Sequence, residues 1–226
     1  MKLNKLIAIA TISLLSGGIS MAQKALNLED IVAGNIIQTK GIGSMTWLKD
    51  GERYSRLENN KQTGGTDIVA YRAKDNSREV IIPSSLLTDK STGRPIPVRS
   101  VSWSADNEKV LIYNNTRRVW RYDTRGDYWV LNLKDGALRQ LGKGMPESSM
   151  MFAKFSPDGT RVAYVSNNNI YVEDIDSGKI TQLTKDGSDT IVNGTFDWVY
   201  EEEFSCRDGF RWSPDGKHIA YWQSDT

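Results

Sequence analysis

The chain has 226 residues, 25% of them charged, and 29 Lys and Arg against 28 Asp and Glu leave a formal net charge of +1. That balance removes the electrostatic argument for nucleic acid or an acidic membrane surface as a partner. A hydrophobic content of 38% is too high for a disordered chain, and seven Trp with nine Tyr favour an aromatic-rich β protein.

Residues 1–22 read as a signal peptide. Lys2 and Lys5 give a positive start, Leu6 to Leu15 is a short apolar run, and Ser20-Met21-Ala22 places small residues where a signal peptidase reads, with cleavage before Gln23. The run is shorter than the roughly 20 residues a transmembrane helix needs. The expectation is an exported protein, periplasmic or secreted, with no membrane span after signal cleavage. Export permits disulfides, but Cys206 is the only cysteine, so no bridge forms within the chain and a small buried thiol is expected. Residues 23–45 form an amino-terminal lead-in, with a short helix expected from Asn27 to Gly34, where a cap candidate, early acids and a closing Gly coincide.

Over 46–226 one unit repeats. Its turns read Thr46-Trp47-Leu48-Lys49-Asp50-Gly51, Ser102-Trp103-Ser104-Ala105-Asp106-Asn107, Lys154-Phe155-Ser156-Pro157-Asp158-Gly159 and Arg211-Trp212-Ser213-Pro214-Asp215-Gly216, with aromatic anchors 56, 52 and 57 residues apart. A period near 50 with strand–turn–strand content is the signature of a β-propeller blade. In the third unit four strands are predicted, ending at Phe155 and then spanning Arg161–Val165, Ile170–Ile175 and Ile180–Leu183, with turns at Ser156–Gly159, Asn167–Asn169 and Asp176–Lys179. The fold class is therefore all-β, a partial propeller of about three and a half four-stranded blades. So few blades cannot close a ring, and the chain is expected to be the amino-terminal portion of a longer protein.

Two departures from the repeat are where function is expected on a scaffold. The second unit carries Asn114 to Asp127 between its second and third strands, read as a loop with Arg117, Arg118, Arg121 and Arg125. Between the third and fourth units, from about Asp186 to Gly209, lies an insertion holding Phe196-Asp197-Trp198-Val199-Tyr200-Glu201-Glu202-Glu203-Phe204. Phe196, Val199, Tyr200 and Phe204 follow helical spacing, and Thr195 or Asp197 can cap the start. On that helix Glu202 and Glu203 project roughly 100° apart and can converge on one small cation. An ammonium, with three donors and no acceptor, suits such a pair. A solvated acidic face is the competing reading of the same residues, as a solvated loop is for the Arg cluster.

No chemistry for breaking bonds is visible. The chain has no G-x-S-x-G elbow, no Cys/His metal cluster and no glycine-rich phosphate loop, and its only histidine, His218, sits in a strand-like run. No catalytic residue, metal or cofactor is assigned. Asn114 and Asn193 match the glycosylation acceptor pattern, which is common by chance.

The stretch Asp197-Trp198-Val199-Tyr200-Glu201-Glu202-Glu203 resembles the double-glutamate motif of the dipeptidyl peptidase IV family, prolyl oligopeptidase-type serine peptidases. Val119-Trp120-Arg121, Asn168–Val172 and the Trp212–Gly216 turn are similar to that family too. The resemblance implies an eight-bladed propeller in which Glu202 and Glu203 grip the free amino terminus of a peptide and Arg121 contacts a substrate carbonyl. It implies release of dipeptides with Pro or Ala in second position by an α/β-hydrolase domain carrying a Ser-Asp-His triad. That domain is absent from this sequence, so the chain alone is expected to be inactive. The resemblance further allows a homodimer. A non-enzymatic propeller binding a protein partner, or a related tripeptidyl or oligopeptidyl peptidase, are the alternatives.

Overall fold

The computed structural model describes residues 27–32, 41 and 43–225. The signal peptide expected over 1–22 lies outside the described residues, as does Gly34. The chain divides into two compact units, residues 1–42 and 43–226. The first contributes one described element, the helix α1 (Leu28–Val32), whose Leu28, Ile31 and Val32 are exposed.

The second unit consists of successive antiparallel meanders. The first sheet runs β1 (Thr46–Trp47), β2 (Arg53–Asn59), β3 (Thr66–Arg72) and β4 (Arg78–Ile82). A single 3-10 turn at Ser84–Leu87 and a small hairpin, β5 (Thr88–Asp89) with β6 (Arg94–Pro95), lead onward. The second sheet is β7 (Ser100–Trp103), β8 (Lys109–Val119), β9 (Tyr122–Asn132) and β10 (Leu138–Gln140); the third is β11 (Met151–Phe155), β12 (Arg161–Ser166), β13 (Asn169–Asp174) and β14 (Ile180–Gln182). Each sheet keeps sequence order, which is the blade of a propeller. The fourth unit holds two two-stranded sheets, β15 (Ile191–Asn193) with β18 (Gln223–Asp225) and β16 (Phe210–Trp212) with β17 (Ile219–Tyr221), with the helix α2 (Trp198–Phe204) between β15 and β16 in the chain. The expected partial propeller is what forms.

The repeated turn works through one device. Ser104, Ser156 and Ser213 each donate Oγ–H to the Asp two residues on, at 2.6, 2.5 and 2.6 Å. The same oxygens accept the backbone N–H of Lys109, Arg161 and His218, at 2.9, 3.0 and 2.9 Å. The residue after each Asp sits at positive φ: Asn107 at 60°, Gly159 at 66° and Gly216 at 67°. Gly, or Asn with its short polar side chain, is what that conformation tolerates.

The core lies between blades. Ile68, Ile82 and Leu87 pack against Val110, Ile112 and Leu131; Leu111, Tyr128 and Val130 pack against Val162 and Tyr164; Met151, Val165 and Ile170 pack against Phe210. Each fully buried aliphatic contributes roughly 1.5–3 kcal/mol. The anchors Trp103 and Trp212 also reach the preceding blade, donating Nε1–H to Ser55 Oγ (3.4 Å) and to the Lys154 carbonyl (3.3 Å).

Three expectations are corrected. Asn114 to Asp127 is not a loop. Strands β8 and β9 continue through it as a two-stranded ribbon, pairing Asn114 with Asp127, Arg117 with Arg125, Arg118 with Asp123 and Val119 with Tyr122. Its charged cross-strand neighbours hide the alternation that marks a half-buried strand. Next, the acidic insertion does not lie between two blades. Strand β15 pairs with β18 and β16 with β17, so both halves of one blade strand flank it. The excursion runs from Gly194 to Gly209, inside the first strand of the fourth blade. Finally, Cys206 is exposed rather than buried, because it follows the carboxy-terminal cap of α2 outside the blade cores. Asn114 and Asn193 are buried in strands, and Asn193 Nδ2 is engaged by the Asn168 carbonyl (3.1 Å) and Asp186 (3.0 Å), so neither is presented as a glycosylation acceptor.

Candidate functional site

The insertion is held at a closed neck. Gly194 N–H donates to the Trp222 carbonyl, Trp222 N–H to the Gly209 carbonyl and Gly209 N–H to the Gly194 carbonyl, at 2.9, 2.9 and 3.0 Å. A Cβ on Gly209 would lie 2.8 Å from the Gly194 carbonyl carbon, so the two passes of chain touch backbone to backbone only because it is glycine.

From this neck rises α2. Asp197 is its N-cap, accepting the Tyr200 N–H at 2.9 Å, a contact that stabilises a helix by about 1 kcal/mol. Ser205 ends it in the left-handed conformation (φ 54°), and Cys206 N–H closes onto the Tyr200 carbonyl at 3.0 Å. The apolar side predicted for this helix forms a ladder, Phe196 to Tyr200 (5.3 Å between ring centres) and Tyr200 to Phe204 (5.6 Å). Yet Val199, Tyr200 and Phe204 are exposed, while Glu201 is buried and the Glu202 side chain is 3% exposed. The helix turns Glu201 and Glu202 inward and its aromatics outward, the reverse of a core helix.

The ribbon from the second blade supplies the opposing wall. At its tip Trp120 has φ 53°. A bulky residue there is an outlier that costs on the order of 1–3 kcal/mol. The turn it makes presents Arg121, whose Nε contacts Glu202 Oε2 in an ion pair. Apart from that ion pair, both Glu202 oxygens are buried without a hydrogen-bond partner. The next residue, Tyr122, carries the Arg207 guanidinium 3.8 Å above its ring. Successive residues of the ribbon thus hold two points of the insertion. Of the three residues singled out from sequence, the structure brings Arg121 and Glu202 together and leaves Glu203 exposed one position on. Arg117 and Arg118 are exposed on the ribbon, Arg125 is partly buried, and Arg118 donates to the Trp120 carbonyl (3.2 Å).

Sequence reasoning missed Glu201 and Arg207. Glu201 is 5% exposed, and burial raises its pKa; the nearby Arg207 charge lowers it in part and Glu202 adds to the rise. Its triplet position was visible, but which glutamates face inward is decided by the angle at which the neck sets the helix. Arg207 belongs to no pattern.

The model of the dipeptidyl peptidase IV (DPP IV) N-terminal region matches residues 104–226. The chain belongs to this family. Relatives of this DPP IV-type propeller segment include a probable dipeptidyl-aminopeptidase B of Chaetomium globosum, 36% identical over 126 residues, covering 55% of this chain and 14% of the relative. A protein of the same name from Aspergillus terreus is 28% identical over 220 residues, covering 93% of this chain and 24% of the relative. The crystal structure of Porphyromonas gingivalis dipeptidyl peptidase 4 superposes with a TM-score of 0.73 at 26% identity, over 90% of this chain and 28% of that one. The chain therefore spans a quarter or less of the length of the two curated relatives.

Proposed function

We propose that this DPP IV-type segment is the substrate-gating propeller portion of an exported serine exopeptidase that releases dipeptides, with Pro or Ala second, from peptide amino termini. Glu202 and Glu203 grip the substrate ammonium, Glu202 from the buried side and Glu203 from the open side. Arg121, its side chain 72% exposed, is free to turn from Glu202 toward a peptide carbonyl. Bond cleavage belongs to a Ser-Asp-His triad on a hydrolase domain elsewhere in the protein. The grip acts as a ruler: fixing the amino terminus sets how many residues reach the nucleophile, which is catalysis by positioning.

The observation that supports this reading is the Glu202 carboxylate, buried on α2 with both oxygens lacking a hydrogen-bond donor and one cation beside it. A buried carboxylate without donors is costly and is best relieved by a charged donor. An ammonium supplies three.

The test is binding of a Pro-containing peptide and its Nα-acetylated form to the chain, read by intrinsic tryptophan fluorescence. Charge-assisted hydrogen bonds of about 1.5–3 kcal/mol predict roughly 10- to 150-fold weaker binding after acetylation. Equal binding of the two forms refutes the grip.

A further inference from the structure

Beside the Arg121–Glu202 pair lies a cleft of about 310 Å³ between the ribbon and the insertion. Trp120 and Glu201 in its wall are the chain neighbours of Arg121 and Glu202. We infer that this cleft receives a cationic side chain, the lysine or arginine that a bound peptide carries as its first residue. The inference rests on the amine grip proposed above, which would deliver that residue to the mouth of the cleft.

Its volume sits at the low end of the roughly 300–1,000 Å³ of small-ligand sites, which is ample for one long side chain. The decisive group is Glu201. It is 5% exposed, it lines the cleft, and its Oε1 has no hydrogen-bond partner. The Arg207 charge acts on it, but no ion pair joins them among the described residues; that guanidinium is stacked on Tyr122, and its Nη1 is also buried without a hydrogen-bond partner. Burial raises the Glu201 pKa, and the Arg207 charge offsets that rise only in part.

The rest of the lining agrees. Asp189 is exposed at the rim, and Asp197 spends one oxygen on the Tyr200 cap. With Arg125 on the ribbon wall the cleft holds three carboxylates against one guanidinium. Rings of Trp120, Phe152 and Trp198 form its sides. Aromatic faces accept both an aliphatic stem and the cation at its end. Phe152, like Trp120, is held at positive φ (56°), where the β11–β12 register slips. Backbone strain at two lining aromatics is a feature that clusters at functional surfaces.

The experiment uses four peptide amides on the whole chain: Lys-Pro, its uncharged analogue norleucine-Pro, and the Nα-acetylated form of each, with Kd from tryptophan fluorescence. Lys-Pro should bind about tenfold or more tightly than norleucine-Pro, the value of one charged contact. In Glu201→Gln, which keeps side-chain shape, that ratio should fall to near one; if that variant unfolds by circular dichroism, Asp189→Asn at the rim should lower it in part. A ratio near one in the unaltered protein, or one that survives a folded Glu201→Gln, overturns the inference. Acetylation reads the grip separately: if it weakens neither peptide while the lysine preference stands, the amine grip fails and the cleft does not.

Discussion

The Arg121–Glu202 contact can be weighed by a double-substitution cycle. The Glu202 side chain is 3% exposed and that of Arg121 is 72% exposed. Breaking a fully buried pair costs about 3–5 kcal/mol, because one charge is left without compensation. An exposed pair is worth about 0–1 kcal/mol. With one partner in water the expectation falls between, about 2 kcal/mol for Arg121→Met. Most of that is the cost of an orphaned carboxylate, so Glu202→Gln in the same background should restore stability to within about 1 kcal/mol of the parent. The assay is urea unfolding of the parent, the two single variants and the double variant. A coupling energy below about 0.5 kcal/mol, or a double variant less stable than Arg121→Met, would refute the picture of a buried carboxylate held by its neighbour.

Three further outcomes are expected. Gly209→Ala drives a Cβ to 2.8 Å from Gly194 and 2.9 Å from Thr195 backbone atoms. Overpacking of that kind costs about 1–3 kcal/mol, and the Gly194 and Trp222 amides should exchange hydrogen faster; unchanged protection refutes the neck. Asp158, held at a pKa of about 2 chiefly by the Ser156 hydroxyl and then by the Thr160 N–H, lies below the ordinary aspartate value near 3.9. A carboxylate depressed by folding stabilises fully above about pH 4 and loses that contribution as pH falls through about 2. The stability gap between parent and Asp158→Asn should therefore narrow across that window, and a constant gap counts against the turn. Cys206, being exposed, should react with a thiol reagent in the native protein as fast as in urea; strong native protection would contradict its placement.

The blades were legible because their signals are local. A Ser hydroxyl reaching an Asp two residues on, and a Gly or Asn at positive φ after it, operate within one turn, so Ser156-Pro157-Asp158-Gly159 announces itself wherever it occurs. Asn167 and Asn168, both at positive φ, likewise mark their hairpin before any packing is known. The cap at Asp197 and the helix behind it follow from the same short reach. The ribbon was not legible, since its length depends on Arg117 meeting Arg125 and Arg118 meeting Asp123 across the pair, and charged residues carry no alternation.

By itself the sequence determined the blade repeat and the acidic helix, through contacts between residues near one another in the chain, while the family resemblance singled out Arg121 beside Glu202 and Glu203. Tertiary structure alone decided that Glu201 and Glu202 turn inward while Glu203 and Cys206 face water, and that Arg121 arrives from another blade. The reason is geometric. The direction a helix faces is set where Gly194 and Gly209 cross against Trp222, and such a meeting of distant backbone leaves no trace in local spacing.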